Sequence, residues 1–495
     1  MDNINKKITN ATKWSALAEV AAKLVLPVVN MILARLLTPE AFGIVATVNI
    51  AISFAEVFQD AGFQKYIIQR EFATEEDFEK SANVAFWTNL ALSTLLWVVI
   101  VLFRAPISRL IGGPGLGLEM AVASFSLPVF AVSSIQISYF KRNFHFRKIF
   151  WVRVITSAIP LVVTVPLAVI FRNHWALIMG TVIRNLVQAI VLYSGSAWKP
   201  RLSYSVGRLK EMGPFCLWTL LESLSIWLTA NVSILIVTHI MDMEAVGYYK
   251  TSMTTVTSIT GIVSAATLSV LFSALSRLQN QEAEFRRVFY DFQKIIAMFA
   301  LPLGAGIWLY RDLAVKILLG EAWMRCADFV GMYAFAMAFA IVTNSFFSEL
   351  YRAKGQPRIS MLAQVLYLIL LAPSVAVSSR FGFEALCITT TILIFVFSVI
   401  HFSIAKWKFG LRPGVILGNL APILAATGIM TVAGYLLRSV SQNLFWEIAS
   451  ILICMALYAV LSVCIKPLRQ TLRTSEFTSM LFGKLEKAIR KNCWK

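Results

Sequence analysis

The sequence predicts an all-α, polytopic integral membrane protein of about 14 transmembrane helices, and three observations carry that expectation. Only 14% of the 495 residues are charged, against about 25% in an ordinary soluble domain. Apolar residues make up 58% of the chain. They fall in one run after another of about 20 residues, the length a helix needs to cross a bilayer core.

The chain opens on a polar stretch, residues 1–13, and its first apolar run continues to Leu37 without a convincing cleavage site. That run reads as a retained first helix rather than a signal peptide. Fourteen spans centre near Leu26, Ile52, Leu95, Val129, Leu161, Leu186, Ser225, Thr260, Leu301, Ala338, Leu368, Leu393, Ala425 and Leu457. A helix satisfies its own backbone groups in lipid. The long unbroken runs lack the alternation of a transmembrane barrel, which excludes that class.

Lys and Arg orient the chain. With the N-terminus placed in the cytoplasm, 31 of the 45 fall in inside segments, 9 outside and 5 within spans. The positive-inside rule then puts both termini on the cytoplasmic side. The net charge of +19 reads as orientation and contact with anionic membrane lipids, not nucleic-acid binding.

The chain also repeats itself. Glu40-Ala41-Phe42-Gly43 opens span 2, and Glu244-Ala245-Val246-Gly247 opens span 8. Arg104 and Gly112 after span 3 answer to Arg311 and Gly320 after span 9. Arg147 matches Arg358, and Ala176-Leu177 matches Ala385-Leu386. Several matches in one order at nearly one offset indicate an internal duplication. Six spans per half enter the membrane in the same sense, so the halves are related by a pseudo-twofold axis along the membrane normal. The expected organisation is an N-terminal lobe over residues 1–205, a C-terminal lobe over 206–408, two extra spans over 409–466, and a basic tail over 467–495. The lobes should enclose a central cavity, and the amphipathic tail should lie on anionic lipid.

No catalytic motif is present. The sequence has no P-loop, no metal-ligand spacing and no redox pair among its six cysteines, so neither enzyme chemistry nor a cofactor or metal is expected. The glycine-rich stretch from Gly112 to Gly117 sits in a short loop and reads as a turn.

Several motifs resemble polysaccharide flippases of the multidrug/oligosaccharidyl-lipid/polysaccharide exporter superfamily. They are the run from Leu33 to Gly43, Phe58-Gln59-Asp60-Ala61-Gly62-Phe63, Ile68-Gln69-Arg70, Trp175-Ala176-Leu177, the basic loop from Tyr139 to Arg147, and Gly355-Gln356-Pro357-Arg358. The likeness spans about residues 10 to 405. Asn173-His174 departs from it, where that family often has a glycine-rich turn. The resemblance implies two lobes, alternating access, and a polyprenyl-pyrophosphate-linked oligosaccharide as substrate for lipopolysaccharide, capsule or exopolysaccharide assembly. Alternatives are a drug or cation antiporter, a peptidoglycan-precursor flippase, and a membrane polymerase or ligase.

A charge at the centre of a spanning helix costs about 2.5–3.5 kcal/mol, so deep charges need a partner or a wet cavity. Lys23, Arg184 and Lys250 lie deep enough to attract an anionic head group. Lys23 also has Glu19 one turn earlier, the order that favours a local ion pair. Glu19 and Glu222 are the deeper carboxylates and candidates for proton coupling, with sodium as the other coupling ion. Asp60, Arg142, Arg147, Glu349, Arg352 and Arg358 are candidates for a cytoplasmic gate, although topology marking by positive charge explains the arginines as well. Pro27 is a candidate hinge near Lys23. Trp218, Trp227, Tyr248 and Tyr249 would stack on sugar rings if they face the cavity, while interfacial anchoring explains most such residues near span ends. A polysaccharide polymerase is an expected partner.

Overall fold

The computed structural model describes residues 25–474 apart from positions 26, 61, 71, 144, 279, 280 and 442. Lys23, Glu19 and residues 475–495 of the tail lie outside the described residues, as do the side chains of Asp60 and Glu222.

The described chain is helical, with no strand among the described residues. Its principal helices are α1 (Pro27–Leu36), α2 (Pro39–Asp60), α3 (Glu75–Leu102), α4 (Ser126–Arg142), α5 (Phe146–Phe171), α6 (Trp175–Gly195) and α7 (Val206–Ile240). They continue as α8 (Met243–Arg277), α9 (Glu282–Leu309), α10 (Glu321–Ala353), α11 (Pro357–Ser379), α12 (Phe383–Phe409), α13 (Pro413–Val440) and α14 (Leu444–Cys464). Among the described residues, 12 helices are long and apolar enough to cross a membrane. The two remaining expected spans fall in α1, of which only part is described, and in α8, where many side chains lie outside the described residues.

Local sequence explains the breaks. Thr74 caps α3 by accepting the Asp77 N–H, and Glu75, Glu76 and Asp77 complement the positive helix start. Pro160 opens a π-turn, Pro160–Thr164, inside α5. Proline cannot supply the N–H that the ladder needs. A second π-turn, Ile341–Ser345, interrupts α10 without any proline.

Contacts divide the chain into two units. The first comprises residues 1–251 with Leu319–Ala322, and the second Ser252–Leu318 with residues 323–495. In the first unit Phe63, Ile67, Phe78, Phe86, Ile135 and Met212 form a closed core. In the second, Phe285, Phe289, Phe346, Phe347, Ile416 and Leu420 do the same around α9, α10 and α13. Outward faces carry large exposed apolar residues, among them Leu95, Val162, Ile190, Ile369, Val432 and Leu452. In water that much exposed apolar surface would drive aggregation; in a bilayer it is the matching solvent.

The internal repeat is visible in side chains. Arg142 lies over the Phe78 ring at 5.6 Å, and Lys354 over the Phe285 ring at 4.3 Å. Phe78 and Phe285 hold equivalent places in α3 and α9, each three residues past the helix start. The two added helices, α13 and α14, are fastened to α9. Arg438 pairs with Asp312 at 2.6 Å and donates to the Leu309 carbonyl at 2.6 Å, while Tyr310 donates to Ser450 at 2.9 Å.

Candidate functional site

Three features of the first unit bear on function: a closed end, a polar stripe, and an ionic network at the opposite end.

The closed end is built from the duplicated motifs. A methyl group on Gly43 would lie 1.7 Å from the Met243 carbonyl oxygen, and one on Gly247 would lie 1.8 Å from the Pro39 carbonyl oxygen. The starts of α2 and α8 therefore touch backbone to backbone, and reciprocally. A second matched contact surrounds the first. A methyl on Gly112 would lie 2.5 Å from the Thr238 carbonyl oxygen near the end of α7, and one on Gly320 would lie 3.3 Å from Arg35 at the end of α1. Gly112 and Gly320 also have positive φ, 78° and 102°. Only a residue without Cβ adopts such φ readily and also permits such an approach. Tyr248 adds a tie, donating to Glu244 at 2.9 Å and to the Ala322 carbonyl at 3.0 Å.

Beneath this end runs the polar stripe. Asn49, Ser53 and Glu56 fall at spacings of four and three along α2, which places them on one face. Asn49 and Glu56 are exposed. Trp218, Ser225 and Thr229 share one face of α7 by their spacing. The Trp227 indole donates to Ser53 at 2.9 Å and packs on Phe54, which joins the two helices. Opposite the stripe stands Arg184, half-buried on α6. Its guanidinium interacts electrostatically with the Glu56 carboxylate, and its Nε has no hydrogen-bond partner among the described residues. Such a charge, in helices otherwise apolar, needs an opposite charge, water or a polar lining nearby. Lys250 is half-buried on α8, one turn past Gly247, and makes contacts there.

At the opposite end, Arg70 pairs with Glu211 at 2.5 Å, and Arg208 bridges Glu211 at 3.1 Å and Asp77. Arg201 pairs with Glu79 at 3.1 Å, and its backbone carbonyl accepts from Trp87 at 2.9 Å. These bonds tie the segment before α7, and the start of α7, to α3. The Glu211 carboxylate beside Arg70, together with the Tyr66 hydroxyl, raises the Arg70 guanidinium above its ordinary range. Arg142 donates to the carbonyls of Ile67 and Arg70, at 3.1 and 2.6 Å. It also lines a small polar cavity of about 160 Å³ with Thr74, Glu75 and Asn143.

The expected site residues fall out as follows. Arg184 and Lys250 lie in the first unit, with Arg184 near Glu56, a carboxylate not singled out above. Arg142 is engaged by backbone carbonyls. Arg147 and Arg358 are exposed. Glu349 and Arg352 pair with each other along one helix at 2.9 Å. Of the four aromatic candidates, Tyr249 is fully buried, Tyr248 is tied to Glu244 and Trp227 to Ser53, while Trp218 stands 74% exposed. Arg70, Asp77, Arg208 and Glu211 were not singled out from sequence; each sits at a helix end, where charges are ordinary.

A family model described as polysaccharide biosynthesis protein matches residues 32–328. The chain is 22% identical over 341 residues to the succinoglycan biosynthesis transport protein ExoT of Rhizobium meliloti (strain 1021), covering 69% of this chain and 68% of that protein. It is 22% identical over 385 residues to the lipopolysaccharide biosynthesis protein WzxC of Escherichia coli (strain K12), covering 76% of each. It is 20% identical to the teichuronic acid biosynthesis protein TuaB of Bacillus subtilis (strain 168), covering 82% and 83%. Among solved structures, the lipid II flippase MurJ in an inward closed conformation superposes with a TM-score of 0.74 at 13% identity, covering 95% of this chain and 99% of that one. A multidrug resistance MATE family transporter in an inward-facing conformation gives 0.61 at 16% identity, covering 78% and 94%. At such identities these two likenesses speak to the fold alone: an all-helical, two-lobed membrane fold.

Proposed function

Because this chain belongs to the polysaccharide biosynthesis protein family, we propose that it is a flippase for a polyprenyl-pyrophosphate-linked oligosaccharide. It carries the unit from the inner to the outer leaflet of a bacterial cytoplasmic membrane, for lipopolysaccharide, capsule or exopolysaccharide assembly. The observation that supports this reading best is the polar stripe of α2 facing Arg184, in helices whose outer faces are apolar.

The substrate poses one physical problem. Its polyprenyl tail is at home in lipid, but its sugars and pyrophosphate are not. A path that exchanges water for fixed polar groups removes the barrier to the head group while the tail stays outside. Arg184 and Lys250 supply the positive charge that draws in the pyrophosphate, with Lys23 as a third cation on the first span. Glu56 neutralises Arg184 when no substrate is present, and the arriving anion takes its place. Trp218 offers an apolar face to a pyranose ring.

The expected topology, with both termini cytoplasmic, puts the glycine-built end on the outer side. That end is then proposed to act as the outer seal of the first unit. Glu19 and Glu222 are proposed to exchange protons during the cycle, with sodium as the alternative coupling ion. Asp60, Arg142, Arg147, Glu349, Arg352 and Arg358 are proposed to mark the cytoplasmic entrance, and the halves 1–205 and 206–408 to act as its rocking lobes.

The test is reconstitution of the purified chain in vesicles with a short-chain polyprenyl-pyrophosphate oligosaccharide in the inner leaflet. Sugar reaching the outer leaflet is read with an impermeant lectin. Protein-dependent exposure is the expected result; exposure no faster than in protein-free vesicles overturns the reading.

A further inference from the structure

The two halves treat one duplicated pair of residues in opposite ways. The offset that relates Ala176 to Ala385 also relates Trp198 to Trp407 and Lys199 to Lys408. In the first unit Trp198 is 6% exposed and packs edge-on against Phe86, with ring centroids 6.1 Å apart. Lys199 lies over the Tyr193 ring at 4.1 Å, and Arg201 pairs with Glu79 at 3.1 Å. In the second unit Trp407, in the last turn of α12, is 87% exposed, and Lys406 and Lys408 on either side of it are exposed too.

More positive charge gathers at the same end of the second unit. Arg412 is exposed just past the turn at Gly410. Arg286 on α9 donates to the Phe409 carbonyl at 3.2 Å, and Arg286 and Arg412 both act electrostatically on the Tyr290 hydroxyl. A short helix, α15 (Lys466–Thr474), packs against α9 and α13. It buries Leu468 in the core that holds Phe285 and Ile416, and leaves Lys466 exposed and Arg469 partly exposed. Glu282 and Asp291 are already engaged, Glu282 with Arg286 at 3.0 Å and Lys354 at 2.8 Å, Asp291 with Lys294 at 3.6 Å. Lys406, Lys408, Arg412, Lys466 and Arg469 form no ion pair among the described residues.

Cations in a last turn complement the helix dipole and mark orientation, which accounts for Lys406 and Lys408 but not for a tryptophan turned outward. An exposed indole at the end of a spanning helix is at home among lipid head groups. The apolar face of α12 leads to the same place. Ile392 and Val399 are 54% and 61% exposed, and Ile392, Val399 and Lys406 follow at spacings of seven, so they share one face. At 1.5 Å per residue, Val399 and Ile392 lie about 10 and 21 Å from Lys406, bracketing the roughly 15 Å of hydrocarbon in one leaflet. We propose that this corner binds an anionic phospholipid. Its phosphate meets Lys406, an acyl chain follows Val399 and Ile392, and the Trp407 indole packs at the head-group level. Lys408, Arg412, Lys466 and Arg469 around it favour a head group of net negative charge over a zwitterionic one. The site needs a membrane-spanning chain but not the flippase reading, so either can fail without the other.

The experiment titrates the purified full chain in detergent with phosphatidylglycerol or with phosphatidylcholine of the same acyl chains, and counts bound lipid by native mass spectrometry. The parent chain should hold phosphatidylglycerol at least about tenfold more tightly. Combining Lys406→Gln, Lys408→Gln and Arg412→Gln should weaken phosphatidylglycerol binding at least about tenfold, with phosphatidylcholine binding and the melting temperature in phosphatidylcholine close to the parent values. Lys406→Gln alone should weaken it about fivefold, which keeps the test open if the triple variant folds poorly. Lys199→Gln, the counterpart in the first half, should leave it unchanged. Equal binding of the two lipids by the parent chain overturns the proposal, as does parent-like selectivity in Lys406→Gln and the triple variant. Displacement of the lipid by millimolar inorganic phosphate also overturns it, since the patch would then serve a free anion.

Discussion

Gly43 and Gly247 face each other across the starts of α2 and α8, each so close to the opposite backbone that a methyl group on either would fall within 2 Å of a carbonyl oxygen, Met243 for one and Pro39 for the other. Sequence comparison within the chain marks both as members of one duplicated motif. The structure shows that the motif packs against its own copy.

Gly43→Ala and Gly247→Ala should each part this end. Forcing a methyl into so close a contact costs about 1–3 kcal/mol, which shifts a two-state equilibrium towards the parted form. A cysteine at Lys250, one turn deeper, reports it. Labelling by an impermeant maleimide added from outside should rise severalfold when Gly43→Ala is combined with Lys250→Cys. Unchanged labelling would remove the closed end from the mechanism.

The Glu56 and Arg184 charges can be separated from a merely structural pair. Glu56→Gln leaves an uncompensated arginine, and Arg184→Gln an uncompensated carboxylate. Breaking such a pair costs about 3–5 kcal/mol when it is buried, and less here where Glu56 is exposed. If Arg184 holds the pyrophosphate, the double variant stays as defective in polymer export as Arg184→Gln, at matched membrane abundance. Recovery of export in the double variant would assign the pair to folding alone.

Lys250→Ala should lower export at matched abundance while Lys250→Arg preserves most of it. Equal export by Lys250→Ala and the parent would take Lys250 out of the substrate path.

The network around Arg70 and Glu211 is partly exposed, so each ion pair contributes modestly. A double-mutant cycle with Arg70→Gln and Glu211→Gln should give a coupling of about 1 kcal/mol or less, falling with added salt. The readout is the melting temperature of the detergent-solubilised chain at low and at high salt. A coupling indifferent to salt would contradict the ion-pair description.

Arg438→Ala should loosen α13 and α14 from α9. It removes hydrogen bonds to Asp312 and to the Leu309 carbonyl, worth about 1.5–3 kcal/mol each when charged and less here, since Arg438 is partly exposed. Limited proteolysis near Ser441, between α13 and α14, should become faster. Unaltered cleavage would show that apolar packing alone holds these helices.

Much of this architecture was legible in the sequence, because lipid imposes a length and a polarity on every spanning helix. The run around Leu95 or Leu393 could be little else. The duplication was legible too, from Gly43 with Gly247 and Gly112 with Gly320. What those glycines touch was not, since a repeat reports ancestry rather than contact. Arg184 stood out as a charge in an apolar run, yet Glu56 escaped notice as its partner because the two lie far apart in the chain.

The reciprocal glycine contact also constrains how this chain can change. One ancestral segment supplied both faces of the crossing, so neither copy can drift alone: a bulkier residue in one is met by the main chain of the other, which has no side chain to trim in response. Relief has to come from a shift of a whole helix, and tolerated substitutions around Pro39, Gly43, Met243 and Gly247 should arise in concert.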